Sequence, residues 1–207
     1  MDPGLPLLDR RERRRRATRE EISRAAIELV AERGLDKVTV EAIAERADIG
    51  YRTFFNYFTS KEEALVESGQ PRAERIIAAL ASRPADEPPL EALRVALLAE
   101  FSDFEHSRQD LCARLSIVEA NPALLPYFTA QIVVTERAIV DEIARRTGLD
   151  SERDLYPHLL AAVAGTALRT SLIRWRAAGA PGSPQPLLAE AFDALARGLA
   201  PPVGSDE

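Results

Sequence analysis

Apolar residues recur at helical spacing along most of the chain. The first stripe occupies positions i, i+3, i+4, i+7 and i+8, namely Ile22, Ala25, Ala26, Leu29 and Val30. This spacing predicts a helix over residues 18–33 with one buried face. Thr18 and Glu21 have the spacing of a capping box at its start, and Gly34 is suited to end it.

Two further short helices are predicted before residue 60. Thr39 is a suitable N-cap for a helix that carries the apolar residues Val40, Ile43, Ala44 and Ala47. After a turn at residues 48–50, residues 51–58 form the next helix, and Ser60 with Glu63 has capping-box spacing for a fourth. Such closely spaced starts and stops predict a compact tri-helical unit of the DNA-binding type.

The remainder of the chain is predicted to form longer helices. Their ranges are 72–82, 89–106, 109–120, 122–147, 152–178 and 185–199, and prolines, glycines or an Asn-Pro pair separate them. Since no strand pattern competes, we expect an all-α fold. It consists of an N-terminal tri-helical helix-turn-helix domain and a C-terminal helical domain.

Charge is distributed unevenly along the chain. The net charge is −6, yet residues 1–61 carry 13 Lys+Arg against 11 Asp+Glu, a net of +2, so the remainder carries −8. Most of the early positive charge belongs to Arg10, Arg11, Arg13, Arg14, Arg15, Arg16 and Arg19. Such a block is able to neutralise several phosphates of a nucleic acid, although a solvated tail is the alternative.

The composition excludes several protein classes. Apolar residues make up 46% and charged residues 29% of the 207 residues, as in ordinary folded proteins. The first nine residues lack the basic start and apolar run of a signal peptide, and the longest apolar stretch, residues 159–168, is too short to span a membrane. We therefore expect a cytoplasmic protein with no membrane partner.

Few residues are available for metal binding or catalysis. Cys112 is the only cysteine, and His106 and His158 are the only histidines, so we expect no metal and no cofactor. The chain has no Gly-x-Ser-x-Gly elbow, no phosphate-binding glycine loop, no His-Glu-x-x-His and no cysteine cluster. We expect that it is not an enzyme, and a helical enzyme is the remote alternative.

The third predicted helix has two different faces. At 100° per residue, Phe54 and Phe58 lie on one side and are expected to be core, whereas Arg52 and Asn56 lie on the opposite side. A guanidinium can form two hydrogen bonds with guanine in the major groove, and a carboxamide can do so with adenine. This face therefore predicts contacts with DNA bases, against the alternative of a plain solvated surface.

Three runs follow one another in fixed order and spacing: Thr39-Val-Glu-Ala-Ile-Ala-Glu-Arg-Ala47, Ile49-Gly-Tyr-Arg-Thr-Phe-Phe-Asn-Tyr-Phe58 and Ser60-Lys-Glu-Glu-Ala-Leu65. Together they resemble the TetR family of transcriptional regulators. The resemblance implies an arginine-rich arm at residues 1–17, a DNA-binding domain at 18–66, a ligand-binding and dimerisation domain at 67–200 and a disordered tail at 201–207. It also implies a repressor that binds a palindromic operator in double-stranded DNA as a homodimer and is released by a small, hydrophobic effector.

The resemblance assigns DNA contacts to individual residues. Thr39, Tyr57 and Lys61 are implied to contact operator phosphates, which fix the register of the protein on the duplex. The residues implied to face the groove are Tyr51, Arg52, Thr53, Phe55 and Asn56. Phe55 stands where many members carry tyrosine, so contact with a thymine methyl is expected to replace a hydroxyl contact.

The arginine-rich arm departs from the family minimum in length. Its candidate DNA-binding residues are Arg13, Arg14, Arg15 and Arg16. We expect this arm to enter an adjacent minor groove, as the arms of homeodomains do.

The last two predicted helices are implied to pair two subunits. The residues expected at this dimer interface are Leu160, Val163, Ala164, Ala167, Leu168, Leu188, Phe192 and Leu195. Burial of the same residues within one subunit is the alternative.

A pocket for the effector is implied between the DNA-binding unit and those helices. The residues expected to line it are Phe101, Phe104, His106, Cys112, Leu115, Tyr127, Phe128 and Ile132. The segments 121–126 and 173–176 resemble, less specifically, actinobacterial members that accept acyl chains such as acyl-coenzyme A thioesters. A DNA-binding protein that ignores small molecules and acts architecturally or through a protein partner is the alternative.

Overall fold

The computed structural model describes residues 10–66, 70–102 and 104–200, without the side chains of residues 12, 70–72 and 104–107. In these ranges the chain forms α-helices and two short 3-10 turns and no strand, which confirms the predicted all-α class. The helices are α1 (Arg10–Arg33), α2 (Val40–Arg46), α3 (Tyr51–Phe54), α4 (Lys61–Val66), α5 (Gln70–Ala81), α6 (Pro89–Ala99), α7 (Phe104–Ala120), α8 (Leu125–Thr147), α9 (Leu155–Ala177) and α10 (Gln185–Ala196). The predicted tail at 201–207 lies outside the described residues.

The chain divides into two compact units. The first unit comprises Met1–Arg72 and Ser107–Gln131, and the second comprises Ala73–His106 and Ile132–Glu207. The first unit thus includes a segment that the sequence had assigned to the C-terminal domain. The reason is packing, because Ile117 of α7 and Leu124 are buried in the same apolar core as the N-terminal helices.

The core of the first unit forms between α1, α2, α3, α4 and part of α7. Its fully buried side chains include Ile22, Leu29, Ile43, Phe54, Phe58 and Leu65. Two side chains bond across this core: the buried Ser23 hydroxyl donates to the carbonyl of Ala64 over 2.6 Å, and Arg114 Nη1 donates to the carbonyl of Leu65 over 3.1 Å. Both bonds fix α4 against its neighbours.

Helix α1 begins earlier than the sequence predicted. It starts at Arg10 rather than near Thr18, so Thr18 lies inside the helix and the predicted capping box does not form. Arginine has one of the highest helix propensities, and no glycine or proline interrupts residues 10–33. The arginine-rich segment is therefore a helical extension of α1 from Arg10 onward.

The second unit is built on α6, α9 and α10, which pack against one another. Its fully buried side chains include Leu93, Trp175, Leu188 and Phe192. The Trp175 indole donates to the carbonyl of Pro181 over 3.1 Å, which ties the loop between α9 and α10 to the core. Gln185 Nε2 donates to the carbonyl of Leu98 over 3.0 Å and joins the start of α10 to the end of α6.

The sequence predicted one helix over residues 89–106, whereas α6 ends at Ala99. At this end the amides of Glu100, Phe101 and Ser102 donate to carbonyls three residues earlier instead of four. Such bonds tighten the chain into a turn. Phe101 is buried directly after α6.

One helical stretch among the described residues, Pro122–Thr147, is long and apolar enough to cross a membrane, with a mean hydropathy of 1.2 over its most apolar window. Core helices of water-soluble proteins meet the same two criteria, so this is weak evidence. The later part of the stretch contributes Ile139, Val140 and Ile143 to the buried interior of the second unit. We assign it no role in a membrane.

Candidate nucleic-acid interface

Helices α2 and α3 are joined by a tight turn within the first unit. Thr39 caps α2, since its hydroxyl accepts from the amide of Ala42 over 3.3 Å, which confirms the predicted N-cap. Asp48 adopts a left-handed conformation with φ of 52°, and the amide of Ile49 donates to the carbonyl of Ala44 over 2.9 Å. This turn reverses the chain between the two helices.

Helix α3 is shorter than predicted but keeps the predicted faces. Only Tyr51–Phe54 is α-helical, because the amides of Asn56 and Tyr57 donate to carbonyls three residues earlier. Phe54 and Phe58 are fully buried with ring centroids 5.8 Å apart, as predicted for the core side. The loss of regular helix after Phe54 therefore leaves the inward direction of these rings unchanged.

The opposite side of α3 and its following turn is open to solvent. Tyr51 is 49% exposed and Phe55 46% exposed. Arg52 and Asn56 are exposed and Thr53 is half-buried. The surface thus offers a guanidinium, a carboxamide and two aromatic rings side by side, which are the groups that read base edges and thymine methyls in a major groove.

The three residues implied to contact phosphates have different surroundings. Thr39 is exposed, whereas Tyr57 and Lys61 are half-buried. Lys61 Nζ donates to the carbonyls of Leu35 and Val38, over 2.9 and 2.8 Å. Two of the three hydrogens of this ammonium group therefore hold the loop that precedes Thr39. A phosphate contact by Lys61 stays a prediction and would have to use the third.

Arg19 joins α1 to the end of the exposed face. Its Nη1 donates to the carbonyl of Tyr57, its guanidinium carbon lies 4.3 Å from the centre of the Phe58 ring, and its Nη2 lies 3.7 Å from Glu63 Oε1. From the sequence, Arg19 was predicted only to contribute one positive charge to the basic block. No sequence signal pointed to these contacts, because residues 38 positions apart meet here only in the folded chain.

Arg46 ties α2 to α1 at the surface. It makes two hydrogen bonds to Glu32, of 3.0 and 2.9 Å, and a longer one of 3.3 Å to Glu28. The bond from Arg46 holds the pKa of the Glu32 carboxyl below its ordinary value, and the same bond raises the pKa of Arg46. These hydrogen bonds from the Arg46 guanidinium orient α2 relative to α1, and the charged groups remain at the surface.

The residues predicted for an effector pocket are divided between the two units. Cys112, Leu115 and Phe128 are half-buried and Tyr127 is exposed in the first unit, whereas Phe101 is buried and Ile132 half-buried in the second. The side chains of Phe104 and His106 lie outside the described residues. Phe128 packs against the core of the first unit. The pocket therefore stays a prediction.

Most residues predicted for a dimer interface are used inside the chain. The five that are buried within the second unit are Leu160, Ala164, Ala167, Leu188 and Phe192. Val163, Leu168 and Leu195 are half-buried. Because these five side chains are buried against their own unit, they offer little surface to a partner, and the dimer interface stays a prediction. In the residue ranges that the structure describes, no group of three or more His, Cys, Asp or Glu side chains is placed to hold a metal ion.

The first unit thus contains an N-capped helix, a tight turn and a second short helix, which has one buried aromatic side and one polar exposed side. These features define a helix-turn-helix DNA-binding protein. Comparison with protein families agrees. Residues 22–67 match the bacterial regulatory proteins of the TetR family, and residues 87–200 match the MftR C-terminal domain. The chain belongs to the TetR family, and it is a DNA-binding transcriptional regulator.

Individual relatives support this assignment. The transcriptional regulator TcmR of Streptomyces glaucescens is 36% identical over 167 residues, which cover 78% of this chain and 72% of TcmR. MftR of Mycobacterium tuberculosis, a regulator assigned to mycofactocin biosynthesis, is 31% identical over 158 residues, 76% of this chain and 79% of MftR. These relatives are regulators rather than enzymes.

A solved structure shows the same fold. FadR of Thermus thermophilus, a TetR-family repressor solved in complex with lauroyl-CoA, superposes with a TM-score of 0.52 at 23% identity. The match covers 91% of this chain and 98% of FadR. At this identity the likeness concerns the fold alone.

Proposed function

We propose that this regulator is a homodimeric repressor, which binds a palindromic operator and leaves it when a small hydrophobic molecule binds. One tri-helical unit reads only a few base pairs, and two units related by a two-fold axis read two half-sites about 34 Å apart. The observation that carries the proposal is an exposed apolar stripe on α9, which is available to join two such units.

The stripe runs along one side of α9. Leu155, Leu159 and Ile173 are 75%, 54% and 62% exposed, far more than is usual for large apolar side chains of a core helix. At 100° per residue, the exposed residues within about 60° of Leu159 lie on one face. They are Leu155, Tyr156, Leu159, Ala162, Thr166, Thr170, Ile173, Arg174 and Ala177. A second copy of the same face would cover this surface by two-fold symmetry.

The effector is proposed to be apolar and to carry an acyl chain. FadR, which shares the fold, was solved with lauroyl-CoA. The proposed contact residues are the predicted pocket residues of the first unit, namely Cys112, Leu115, Tyr127 and Phe128. The repressor would act in the cytoplasm, where both chromosomal DNA and acyl thioesters occur. Effector binding would favour a dimer whose two α3 helices no longer match successive major grooves.

Fluorescence anisotropy at fixed salt tests this proposal with the DNA upstream of the protein's own coding sequence. Wild type is expected to prefer this duplex over a scrambled one, and Arg52→Ala and Asn56→Ala are each expected to lose about 1–3 kcal/mol of that preference. Arg153→Ala, which removes an 86% exposed arginine from the second unit, is the matched control and should bind as wild type does. Lauroyl-CoA added to the complex should lower the anisotropy.

Two results would count against the proposal. Binding that is sensitive to salt but equal for both duplexes, repeated with DNA selected from a random library, would contradict sequence reading. If the DNA is read but neither lauroyl-CoA nor lauric acid raises the melting temperature or releases the duplex, the acyl effector is wrong.

A further inference from the structure

We propose that the first two turns of α1 form a rigid helical arm that binds the phosphate backbone beside the half-site, through the face that carries Arg15 and Arg16. The inference rests on operator binding by α2 and α3. It concerns contacts to the DNA backbone, which determine affinity and salt dependence rather than base sequence.

The arm is strongly basic and continuous with the core of the first unit. Residues 10–16 contain six arginines and one glutamate, a net charge of +5. They belong to the same uninterrupted helix as Ile22 and Leu29, which are fully buried. Arg13, Arg14 and Arg15 are exposed. Because the helix is anchored in the core, these charges have fixed positions relative to α3.

One face of the arm points to the same side as Arg19. Arg15 and Arg16 precede Arg19 by four and three residues, so each lies within about 60° of Arg19 around the helix and about one turn, roughly 5.4 Å, before it. Arg13 and Arg14 lie about 120–140° away from Arg19. Since Arg19 bonds to the carbonyl of Tyr57, the Arg15 and Arg16 face continues the surface at the end of the turn that follows α3.

The residues at the end of the turn that follows α3 belong to the proposed DNA-binding surface. Asn56, next to Tyr57, is exposed on the reading side. A duplex bound there presents a phosphate charge about every 1.7 Å along its axis, so cations one helical turn beyond Arg19 meet phosphates flanking the half-site. Charge complementarity and continuity with α3 therefore both favour the DNA backbone as the partner of this face.

The helical form of the arm fits the phosphate backbone better than the minor-groove contact that the sequence predicted. An α-helix with its side chains is about 10–12 Å across, whereas the minor groove is about 6 Å wide. A helix over residues 10–17 cannot enter that groove as an extended arm does. The proposal therefore replaces homeodomain-like insertion by Arg13–16 with contact to the outer phosphates, which is the arrangement that fits a helix.

Three variants test the arm on a duplex that wild type selects from a random-sequence library. Arg15→Gln/Arg16→Gln and Arg13→Gln/Arg14→Gln remove the same charge from two pairs whose mean directions around the helix differ by about 160°. Ala17→Pro keeps every charge but breaks the helix before residue 17, and the remainder of α1 can restart there because proline is accepted at the first helical position. The measured quantity is the slope of log K against log salt concentration.

The arm predicts how much each variant reduces the slope. Loss of Arg15 and Arg16 should reduce the magnitude of the slope by about 1–2 for each bound subunit, and so by about 2–4 for a dimer, since each neutralised phosphate contributes about 0.9. Loss of Arg13 and Arg14 should reduce it by less than half as much. Ala17→Pro should reduce it about as much as the first pair does. All three should keep the preference of wild type for the selected sequence, which shows that α2 and α3 still fold and read DNA.

Equal slopes for the two double variants, together with a wild-type slope for Ala17→Pro, would mean a flexible basic tail and overturn the proposal. Wild-type slopes for all three variants would remove the arm from the interface. If wild type selects no sequence from the library, operator binding itself fails and the arm fails with it. The first two results leave operator reading intact, so the two failures are distinguishable.

Discussion

The rings of Tyr51 and Phe55 meet edge to face, with their centroids 5.1 Å apart and their planes at 73°. Phe55 also meets the buried Phe54 edge to face, at 5.4 Å and 80°. Edge-to-face pairs add about 0.5–1.5 kcal/mol beyond burial of area. Although it is 46% exposed, the Phe55 ring is therefore held in one position in the middle of the proposed reading surface.

Phe55 is expected to contact the methyl group of a thymine in each half-site. Replacing that thymine by deoxyuridine removes one methyl, which should weaken binding of wild type about fourfold, since one buried methylene contributes about 0.8 kcal/mol. Phe55→Ala should bind the thymine and deoxyuridine duplexes equally. The measurement is a double-mutant cycle by anisotropy, in which each thymine of the selected half-site is replaced in turn.

A matched control for this cycle is Phe55→Leu, which keeps an apolar side chain and should retain part of the preference for thymine. If the fourfold loss at some thymine is the same for wild type and Phe55→Ala, that methyl is read by another residue. If no thymine gives a loss with wild type, Phe55 contacts no methyl group.

Lys61 is expected to stabilise the loop before α2. Its ammonium group holds the carbonyls of Leu35 and Val38, and hydrogen bonds to charged groups contribute about 1.5–3 kcal/mol. Lys61→Met should therefore lower the free energy of unfolding by about this amount, measured by urea denaturation. Lys37→Met, which changes an exposed lysine of the same loop, is the control and should have little effect.

The salt dependence of DNA binding separates the two roles of Lys61. A slope equal to that of wild type would assign Lys61 to the loop alone, whereas a slope smaller in magnitude by about one for each bound subunit would add a phosphate contact. Unchanged stability of Lys61→Met would contradict the structural role of the two bonds.

The faces of the helix-turn-helix were predictable from sequence, but the ends of its helices were not. Phe54 and Phe58 are buried as the periodicity predicted, because apolar side chains at this spacing must share one side of the chain. The predicted start of α1 was wrong because the apolar stripe begins only at Ile22, and the residues before it show no helical periodicity. Residues 10–18 are helical because arginine has a high helix propensity and because they continue the helix that contains Ile22. The capping-box pattern at Thr18 predicted a helix start there instead.

Arg146 is expected to hold the loop after α5 in the second unit. Its Nη1 donates to the carbonyls of Leu80 and Arg83, over 3.2 and 3.1 Å, and its Nη2 donates to that of Pro84 over 2.6 Å. Arg146→Ala leaves three carbonyls without this donor and should lower the free energy of unfolding by about 2–3 kcal/mol. Arg146→Lys should recover only part, because an ammonium lacks the planar fork.

Urea denaturation measures the Arg146 variants, with Arg153→Ala as a control that changes a mainly exposed arginine. The control should stay within about 0.5 kcal/mol of wild type. A loss for Arg146→Ala no larger than that of the control would mean that the three bonds add nothing to stability.

The surface of α9 could not be predicted from its sequence, although the helix itself was. Apolar residues occur on both sides of α9, so periodicity does not distinguish the side facing the chain's own core from the side available to a partner. Leu160 and Ala164 are buried inside the second unit, whereas their neighbours Leu159 and Ala162 are exposed. A rotation of about 100°, one residue on a helix, separates Leu160 from Leu159, and so the buried side of α9 from the exposed stripe.

Leu159 is expected to lie at the centre of the dimer interface. Leu159→Glu places a charge on each of two facing helices, so light scattering should give the mass of one chain where wild type gives twice that mass. Leu125→Glu is the matched control, since Leu125 is 51% exposed and Leu159 54%, but Leu125 belongs to the first unit. The control should remain a dimer.

DNA binding distinguishes loss of the dimer from loss of the fold. Leu159→Glu should bind a duplex with one half-site as wild type does, because each helix-turn-helix is complete within one chain. On the full palindrome, wild type should bind about 10²–10⁴-fold more tightly than the variant, because linking two binding units makes the second contact intramolecular. If both variants remain dimers, the stripe on α9 is not the interface. If Leu159→Glu also loses the single half-site, the substitution has disturbed the first unit, and the milder Leu159→Ser decides whether the stripe joins the subunits.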